Sequence, residues 1–183
     1  MADNSKHGEV NTSAAEAFEK YLVPTIFGPW SEAMIDHAGT KENHRILDVG
    51  CGSGAAARYA AKIIGPTGSI SAIDFNAGMI THARTLDPEG RIDWQQGDVT
   101  DMPYDDGAFD IIAGNQLLQF LPEKEKGLSE MKRVLADSGR LALTVYCAPH
   151  RNPAHAAVAD ALEKHGIDSK GVVHPFSYGD PVV

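Results

Sequence analysis

The sequence has few cysteines and no surplus of basic residues. Cys51 and Cys147 are its two cysteines among 183 residues, which excludes a disulfide framework or a cysteine-rich zinc site. Lys and Arg number 16 against 25 Asp and Glu, and the net charge of −9 argues against a nucleic-acid or anionic membrane partner. No apolar run is long enough to span a membrane, no signal peptide is visible, and the eight histidines lack metal-ligand spacing. We therefore expect a cytoplasmic protein without a metal site.

A glycine-rich segment, residues 46–54 with the sequence ILDVGCGSG, is the most informative part of the chain. It combines a short apolar run with a turn in which the absence of Cβ atoms lets a ligand approach the backbone. Asp74 follows Gly54 by twenty positions, at the end of a second apolar run over residues 69–73. This layout is typical of a nucleoside-binding βαβ unit whose carboxylate accepts hydrogen bonds from two ribose hydroxyls. A tight turn without a ligand is the alternative.

Strand and helix patterns alternate along the rest of the chain. Strands are expected at residues 45–49, 69–73, 91–96, 109–113 and 140–146. Helices are expected at residues 55–64, 76–86, 122–139 and 152–165. The alternation predicts an α/β fold with a parallel, doubly wound sheet and right-handed crossovers.

Two further features of these helices can be predicted. Ahead of the first strand, a capping box at Ser13 and Glu16 predicts a helix that Pro24 ends, and a second helical segment follows over residues 26–37. In the helix over residues 122–139, we expect a buried stripe formed by Leu128, Met131 and Leu135.

Several motifs, in this order, resemble those of class I S-adenosylmethionine-dependent methyltransferases of the ubiquinone/menaquinone-biosynthesis-like small-molecule group. They are residues 46–54, 71–76 (SAIDFN), 96–99 (QGDV) with 102–104 (MPY), 109–116 (FDIIAGNQ) and 130–135 (EMKRVL). The resemblance implies one Rossmann-like domain, with an N-terminal helical cover over residues 12–40 and a cofactor-binding core over residues 45–147. Because relatives continue through a sixth and a seventh strand, we expect residues 148–183 to be a truncated C-terminal part that lacks them.

The resemblance also implies a site for S-adenosylmethionine, whose product is S-adenosylhomocysteine. The implied cofactor residues are Gly50, Cys51, Gly52, Asp74, Phe75, Met79, Gly97, Asp98, Val99, Asn115 and Gln116. In this interpretation Asp74 binds the ribose, while Phe75 and Met79 pack against the adenine. Asp98 accepts from the adenine amino group and the Val99 N–H meets a ring nitrogen. Asn115 and Gln116 contact the cofactor or line the acceptor pocket.

The expected reaction is in-line methyl transfer to an O, N or C atom of a small molecule. A sulfonium methyl group is already activated, so the protein mainly has to align the nucleophile and exclude water. His150, after the fifth strand, is the candidate base, and an exposed loop histidine is the alternative. Tyr21 and Trp30 are candidates for a lid, or else packing residues of the N-terminal helices.

Two other functions stay open at this stage. An NAD(P)-dependent oxidoreductase shares the fold, but the glycine spacing disfavours it and no tyrosine is followed by lysine four residues later. A non-catalytic S-adenosylmethionine- or S-adenosylhomocysteine-binding module fits a chain that stops after residues 174–181, where relatives continue. The fifth strand would then be an exposed edge, which predicts a homodimer through that edge.

Overall fold

The computed structural model describes residues 12–170, apart from the side chain of Pro149. Five parallel strands in this part of the chain form one sheet of order β3-β2-β1-β4-β5. The strands are β1 (Arg45–Val49), β2 (Ser69–Asp74), β3 (Ile92–Gln96), β4 (Phe109–Asn115) and β5 (Leu135–Thr144). Residues 174–181, on which the expectation of a missing chain end depends, lie outside the described residues.

Helices precede the sheet and connect its strands. They are α1 (Ser13–Ala17), a π-helical segment (Phe18–Phe27), α2 (Gly28–His37), α3 (Ala55–Ala61), α4 (Ala77–Thr85), α5 (Lys124–Val134) and α6 (Pro153–Lys164). Short 3-10 turns occupy Leu118–Phe120 and Pro149–Arg151. Within the described residues, no helix is both long and apolar enough to cross a bilayer.

The sheet is buried on both faces, as a doubly wound fold requires. Successive strand residues point to opposite faces, so Ile46 joins the cluster formed with α2, α3 and α4, whereas Leu47 joins the cluster formed with α5. Ile111 and Ile112 of β4 divide between the same two clusters. This two-sided packing confirms the fold class and explains why the central strands β1 and β4 are buried along almost their whole length.

The expected break at Pro24 is wrong. Helical backbone runs without interruption from Ser13 to His37, and Pro24 lies inside its π-helical segment. Proline lacks an N–H and its ring clashes with a carbonyl of the preceding α-helical turn, whereas a wider π turn gives the ring room. The helix also begins one residue earlier than expected, because Thr12 is its N-cap and Thr12 Oγ1 donates to Glu16 Oε1 at 2.8 Å.

The expected helix over residues 122–139 is too long at both ends. Helix α5 ends at Val134, and Leu135 pairs with Phe109 as the first residue of β5. Strand pairing with β4 overrides the helical period here, and a register shift between Phe109 and Ile111 takes up the extra residues. The buried residues of α5 are accordingly Gly127, Met131 and Val134, with Leu128 only half-buried.

Helix α5 holds the loop after β3 through one ion-pair network. The Arg133 guanidinium donates hydrogen bonds to Glu130 Oε1 at 2.7 Å and to the carbonyl oxygens of Tyr104 at 2.7 Å and Met102 at 2.9 Å. Glu130 Oε2 in turn accepts from the Met102 N–H at 3.0 Å. The Arg133 guanidinium holds the pKa of Glu130 down, at about 2. The network therefore stabilises the fold only while Glu130 is ionised.

We expect Glu130→Gln to remove an acid-sensitive part of the stability. The folded pKa of Glu130, about 2, is below the unfolded value of 4.5, so its contribution is present above pH 4.5 and lost as the pH falls towards 2. The variant should lose about 1–2 kcal/mol of unfolding free energy at pH 7 and little at pH 2.5 in urea titrations. Glu89→Gln, at an exposed position, is the control. Equal losses at both pH values would contradict this assignment.

Candidate functional site

Two adjoining cavities open at the carboxyl ends of β1, β2 and β4, where parallel sheets bind ligands. The larger has a volume of 620 Å³ and the smaller 370 Å³. They share Gly50, Asp74, Leu117 and Phe120, so they are two parts of one cleft. The larger part is bordered by the glycine loop and the N-terminal helices, and the smaller part by the loops after β2 and β3.

The cleft brings together ten of the eleven residues expected to bind a cofactor. They are Gly50, Cys51, Gly52, Asp74, Met79, Asn115 and Gln116 in the larger part, with Phe75, Asp98 and Val99 in the smaller. Gly97 lines neither part, and its missing Cβ instead makes room for the side chain of Ile73. Met79 and Phe75, both expected at the adenine, lie in different parts of the cleft.

Asp74 holds the glycine loop against the end of β2. Its Oδ2 accepts from the Gly52 N–H at 2.8 Å, and its Oδ1 accepts from the Asn76 N–H at 2.8 Å. A carboxylate oxygen accepts two hydrogen bonds, so each oxygen keeps one acceptor position for a ligand hydroxyl. Gly52 has φ of +55°, a left-handed conformation that glycine adopts without strain. The geometry fits the two neighbouring hydroxyls of a ribose.

Gly54 explains the unusual glycine spacing. It is the left-handed N-cap of α3, with φ of +86°, and a Cβ there would overlap the ring of Trp94 on β3. The third glycine of the loop therefore serves the packing of α3 on the sheet rather than the ligand.

The smaller part of the cleft ends at the loop after β3. Asp98 Oδ1 accepts from the N–H and the hydroxyl of Thr100 at 2.8 and 2.9 Å, and these bonds lower the pKa of Asp98. Asp98 thus shapes the loop, while its Oδ2 and the Val99 N–H have no protein partner within residues 12–170. A planar ligand with one donor and one acceptor edge fits this pair.

Asp48 is a cleft residue that the sequence reading missed. It lies in the buried part of β1, is 2% exposed, and accepts from the Ala57 N–H at 3.0 Å. Burial raises the pKa of Asp48 to about 7, with a further contribution from Asp74, while the Ala57 N–H and Arg58 oppose the rise. Its place inside an apolar strand was the signal, because an acidic residue there has to face either a partner or a cavity.

The N-terminal helices cover the larger cavity with Phe18 and Phe27. Their rings lie 4.7 Å apart, and both line the cavity. Tyr21 is instead 60% exposed, and Trp30 lies in a separate groove along β5, so neither of these expected lid residues borders the cleft. The π-helical turns change which side chains face the sheet, and a period of 3.6 residues could not have predicted this.

Glu19 fixes this cover to the glycine loop. Its carboxylate accepts from Ser53 Oγ at 2.6 Å and from Arg58 Nη2 at 2.7 Å. At the other end of the cover, Asn115 Nδ2 donates to the Phe27 carbonyl oxygen at 3.0 Å. The side chain of Asn115 therefore holds the cover in place.

We expect Glu19→Gln to loosen the cover without unfolding the core. The substitution removes a half-buried ion pair, which contributes about 1 kcal/mol. Hydrogen exchange should rise about 5-fold over residues 13–27 and stay unchanged in β1 and β4. Glu32→Gln on α2 is the control. Unchanged exchange over residues 13–27 would show that the ion pair does not hold the cover.

His150 is not among the residues that line the cleft. It is exposed, in the turn Pro149–Arg151. Its role as a base therefore stays a prediction.

Residues 47–143 match the family model described as a methyltransferase domain. The chain belongs to this family. S-adenosylmethionine is its cofactor, as in the SAM-dependent methyltransferase structure that it matches, and an oxidoreductase is set aside.

Named relatives and solved structures agree with the family. The chain is 28% identical over 159 residues to a 2-phytyl-1,4-naphtoquinone methyltransferase from Nostoc, covering 83% of this chain and 69% of that protein. It is 33% identical to the ubiquinone/menaquinone biosynthesis C-methyltransferase UbiE from Ectopseudomonas mendocina, over 72% of this chain and 52% of that protein. A crystal structure of a SAM-dependent methyltransferase from Aquifex aeolicus matches with 25% identity and a TM-score of 0.64, covering 74% and 72%.

One matched structure is named for a different activity. The cyclase SpnF is 27% identical, with a TM-score of 0.58, over 63% of this chain and 44% of that one.

Proposed function

We propose that this methyltransferase acts on a ring carbon of a flat, apolar, reduced quinone-type acceptor. The observation that carries the proposal is the aromatic lining of the larger cavity by Phe18, Phe27 and Phe120, next to the residues at the end of β4. Facing aromatic side chains favour a planar ring by stacking and edge contacts. The quinone methyltransferases among the relatives support the same acceptor class.

In this proposal the cofactor lies along the whole cleft. Asp74 binds the ribose hydroxyls, and Asp98 and the Val99 N–H bind the adenine. Gly50 and Gly52 let the backbone approach the methionine part, and the N-terminus of α3 favours its carboxylate. Gly97 acts by packing only.

The chemistry needs little from the protein beyond alignment. The bound cofactor supplies an electrophilic methyl group. A ring carbon next to a phenolate oxygen forms the new C–CH₃ bond, the S–CH₃ bond breaks, and S-adenosylhomocysteine leaves; the ring proton passes to water. The residues of the cover exclude bulk water and hold the ring in line.

The test is transfer of labelled methyl from S-adenosylmethionine to a reduced naphthoquinone. We expect labelled C-methyl product with 1,4-naphthohydroquinone and none with its dimethyl ether, which cannot form the phenolate. His150→Ala should leave the pH profile unchanged if the acceptor ionises without a protein base. Equal labelling of both acceptors would contradict carbon methylation assisted by a phenolate.

A second candidate is a cofactor-binding protein that transfers no methyl group. The cyclase SpnF, a matched structure that is not named as a methyltransferase, favours keeping it. The labelling experiment discriminates, because this candidate binds S-adenosylhomocysteine but transfers no label to any acceptor.

We also propose self-association through β5. In the described part of the chain, its outer edge pairs with no strand, and a groove of 740 Å³ lies between this edge and α2. Two copies related by a two-fold axis would pair β5 antiparallel and cover Trp30 and Leu141, which are 55% and 39% exposed. We expect a dimer by light scattering, and a monomer for Leu141→Lys but not for Val158→Lys on α6. A monomeric wild type at 100 µM, about a hundred times a micromolar Kd, would refute this.

We propose in addition a cytoplasmic setting without nucleic-acid or membrane partners. Its support is the net charge of −9 and the free thiols of Cys51 and Cys147, which a reducing compartment preserves.

A further inference from the structure

A chain of hydrogen bonds crosses the end of β4 and β5 beside the larger cavity. Gln119 Nε2 donates to Gln116 Oε1 at 2.8 Å, and Gln116 Nε2 donates to Thr144 Oγ1 at 3.3 Å. The Thr144 hydroxyl donates to Asn115 Oδ1, and Asn115 Nδ2 donates to Ser31 Oγ at 2.9 Å. These five side chains connect the cover to the turn after β4.

A single main-chain carbonyl fixes the donor and the acceptor of every hydrogen bond in this network. Asn115 also faces the Phe27 carbonyl oxygen at 3.0 Å, which only accepts, so the amide nitrogen of Asn115 has to point there. Its Oδ1 then faces Thr144, whose hydroxyl has to donate to it. Thr144 Oγ1 in turn accepts from Gln116, which therefore presents its nitrogen to Thr144 and its oxygen to Gln119.

The fixed direction leaves two hydrogen-bond donors at the wall of the larger cavity. Ser31 Oγ already accepts from Asn115, so its hydroxyl hydrogen is available, and Gln116 Nε2 has a second N–H. Ser31 is 2% exposed and Gln116 6% exposed, and both line the larger cavity. Within residues 12–170, neither hydrogen has an acceptor, although a buried donor without one is costly.

Backbone strain places Gln116 at the cavity wall. Its φ is +58°, in the left-handed region that residues with a Cβ rarely adopt. Its N–H is held by both the carbonyl and the hydroxyl oxygen of Thr144, at 3.1 and 3.0 Å. Strained backbone that is held this firmly is concentrated at functional sites.

We infer that Ser31 and Gln116 form the binding site for an oxygen of the methyl acceptor, and that Gln119 positions Gln116. The inference rests on the proposed function and adds to it the residues that recognise the acceptor. An oxygen that accepts from both donors is stabilised most when it is an anion, so this site favours a phenolate over the neutral phenol. In this assignment the two donors lower the pKa of the bound acceptor, since neither histidine nor lysine lines the described wall of the cavity.

The test compares 2-naphthol with naphthalene, which lacks the oxygen, on the full chain with S-adenosylhomocysteine present. Fluorescence titration should give an affinity for the naphtholate about 10–100 times that for naphthalene, and Ser31→Ala, which leaves only the Gln116 donor, should reduce this ratio to about 3–10. Naphthalene affinity should stay unchanged. Thr25→Val is the matched control, because Thr25 is an outward-facing hydroxyl on the same cover, bonded to the Tyr21 carbonyl oxygen.

A spectroscopic titration separates oxygen recognition from general packing. The absorbance of the naphtholate should show a lower pKa for bound 2-naphthol than for free 2-naphthol. Ser31→Ala and Gln119→Met should each raise this pKa again, whereas Thr25→Val should not. If wild type binds the two compounds equally, or Ser31→Ala leaves the ratio unchanged, the hydroxyl hydrogen stays within α2 and the inference is overturned. Loss of S-adenosylhomocysteine binding with an intact naphtholate preference would refute the proposed function alone.

Discussion

Asp74→Ala is expected to weaken S-adenosylmethionine binding by about 100–1000-fold. Two hydrogen bonds from ligand hydroxyls to a carboxylate are lost, and each contributes about 1.5–3 kcal/mol before water replaces it. The substitution also frees the N–H groups of Gly52 and Asn76, which Asp74 holds at 2.8 Å each. Calorimetric titration with S-adenosylmethionine and S-adenosylhomocysteine measures the loss, with NAD as a ligand control.

A second variant separates ribose binding from loop support. Asp74→Asn keeps one acceptor oxygen, so it should retain one of the two loop bonds and bind the cofactor about 10-fold more weakly than wild type. Asp93→Ala, on the exposed side of β3, should bind normally. Wild-type affinity in Asp74→Ala would show that the ribose lies elsewhere, and the whole placement of the cofactor would be wrong.

Local sequence patterns were sufficient where one element decides the structure. The strands around the glycine loop and Asp74 were predicted within a residue, because an apolar run that ends in glycine or an acidic residue allows few alternatives. The same applies to α4, where Asn76 caps the helix by accepting from the Gly78 N–H at 2.8 Å.

Local sequence patterns failed where contacts with residues distant in the sequence determine the structure. Leu135 has a helical period behind it, yet it pairs with Phe109, twenty-six positions away, and becomes a strand residue. Pro24 lies in a helix because the π-helical cover packs across the sheet ends, and the same turns bring Phe27 rather than Tyr21 to the cavity. The hydrogen-bond chain from Ser31 to Gln119 joins three separate segments, so no local spacing could have predicted it.

The last expected result concerns the buried carboxyl of Asp48. Its folded pKa of about 7 lies above the unfolded value of 3.8, because burial disfavours the charge. Stability from the neutral form is thus fully present below pH 3.8 and is lost as the pH rises towards 7. Asp48→Asn keeps an oxygen for the Ala57 N–H and removes this loss. We expect the variant to be about 2–4 kcal/mol more stable than wild type at pH 8 and equally stable at pH 4, in urea titrations.

Protons released on cofactor binding should come from the same Asp48 carboxyl. S-adenosylmethionine carries a sulfonium and an ammonium charge, and a cation in the cavity beside Asp48 favours the ionised carboxyl. Binding at pH 6.5 should therefore release about half a proton, visible as a dependence of the calorimetric enthalpy on the ionisation enthalpy of the buffer. Asp48→Asn should release none and bind about 10-fold more weakly at pH 8, because it lacks the counter-charge. If proton release persists in Asp48→Asn, the protons come from another group in the cleft. That group is not the Cys51 thiol, because burial raises its pKa well above 9.0 and it does not titrate near pH 6.5.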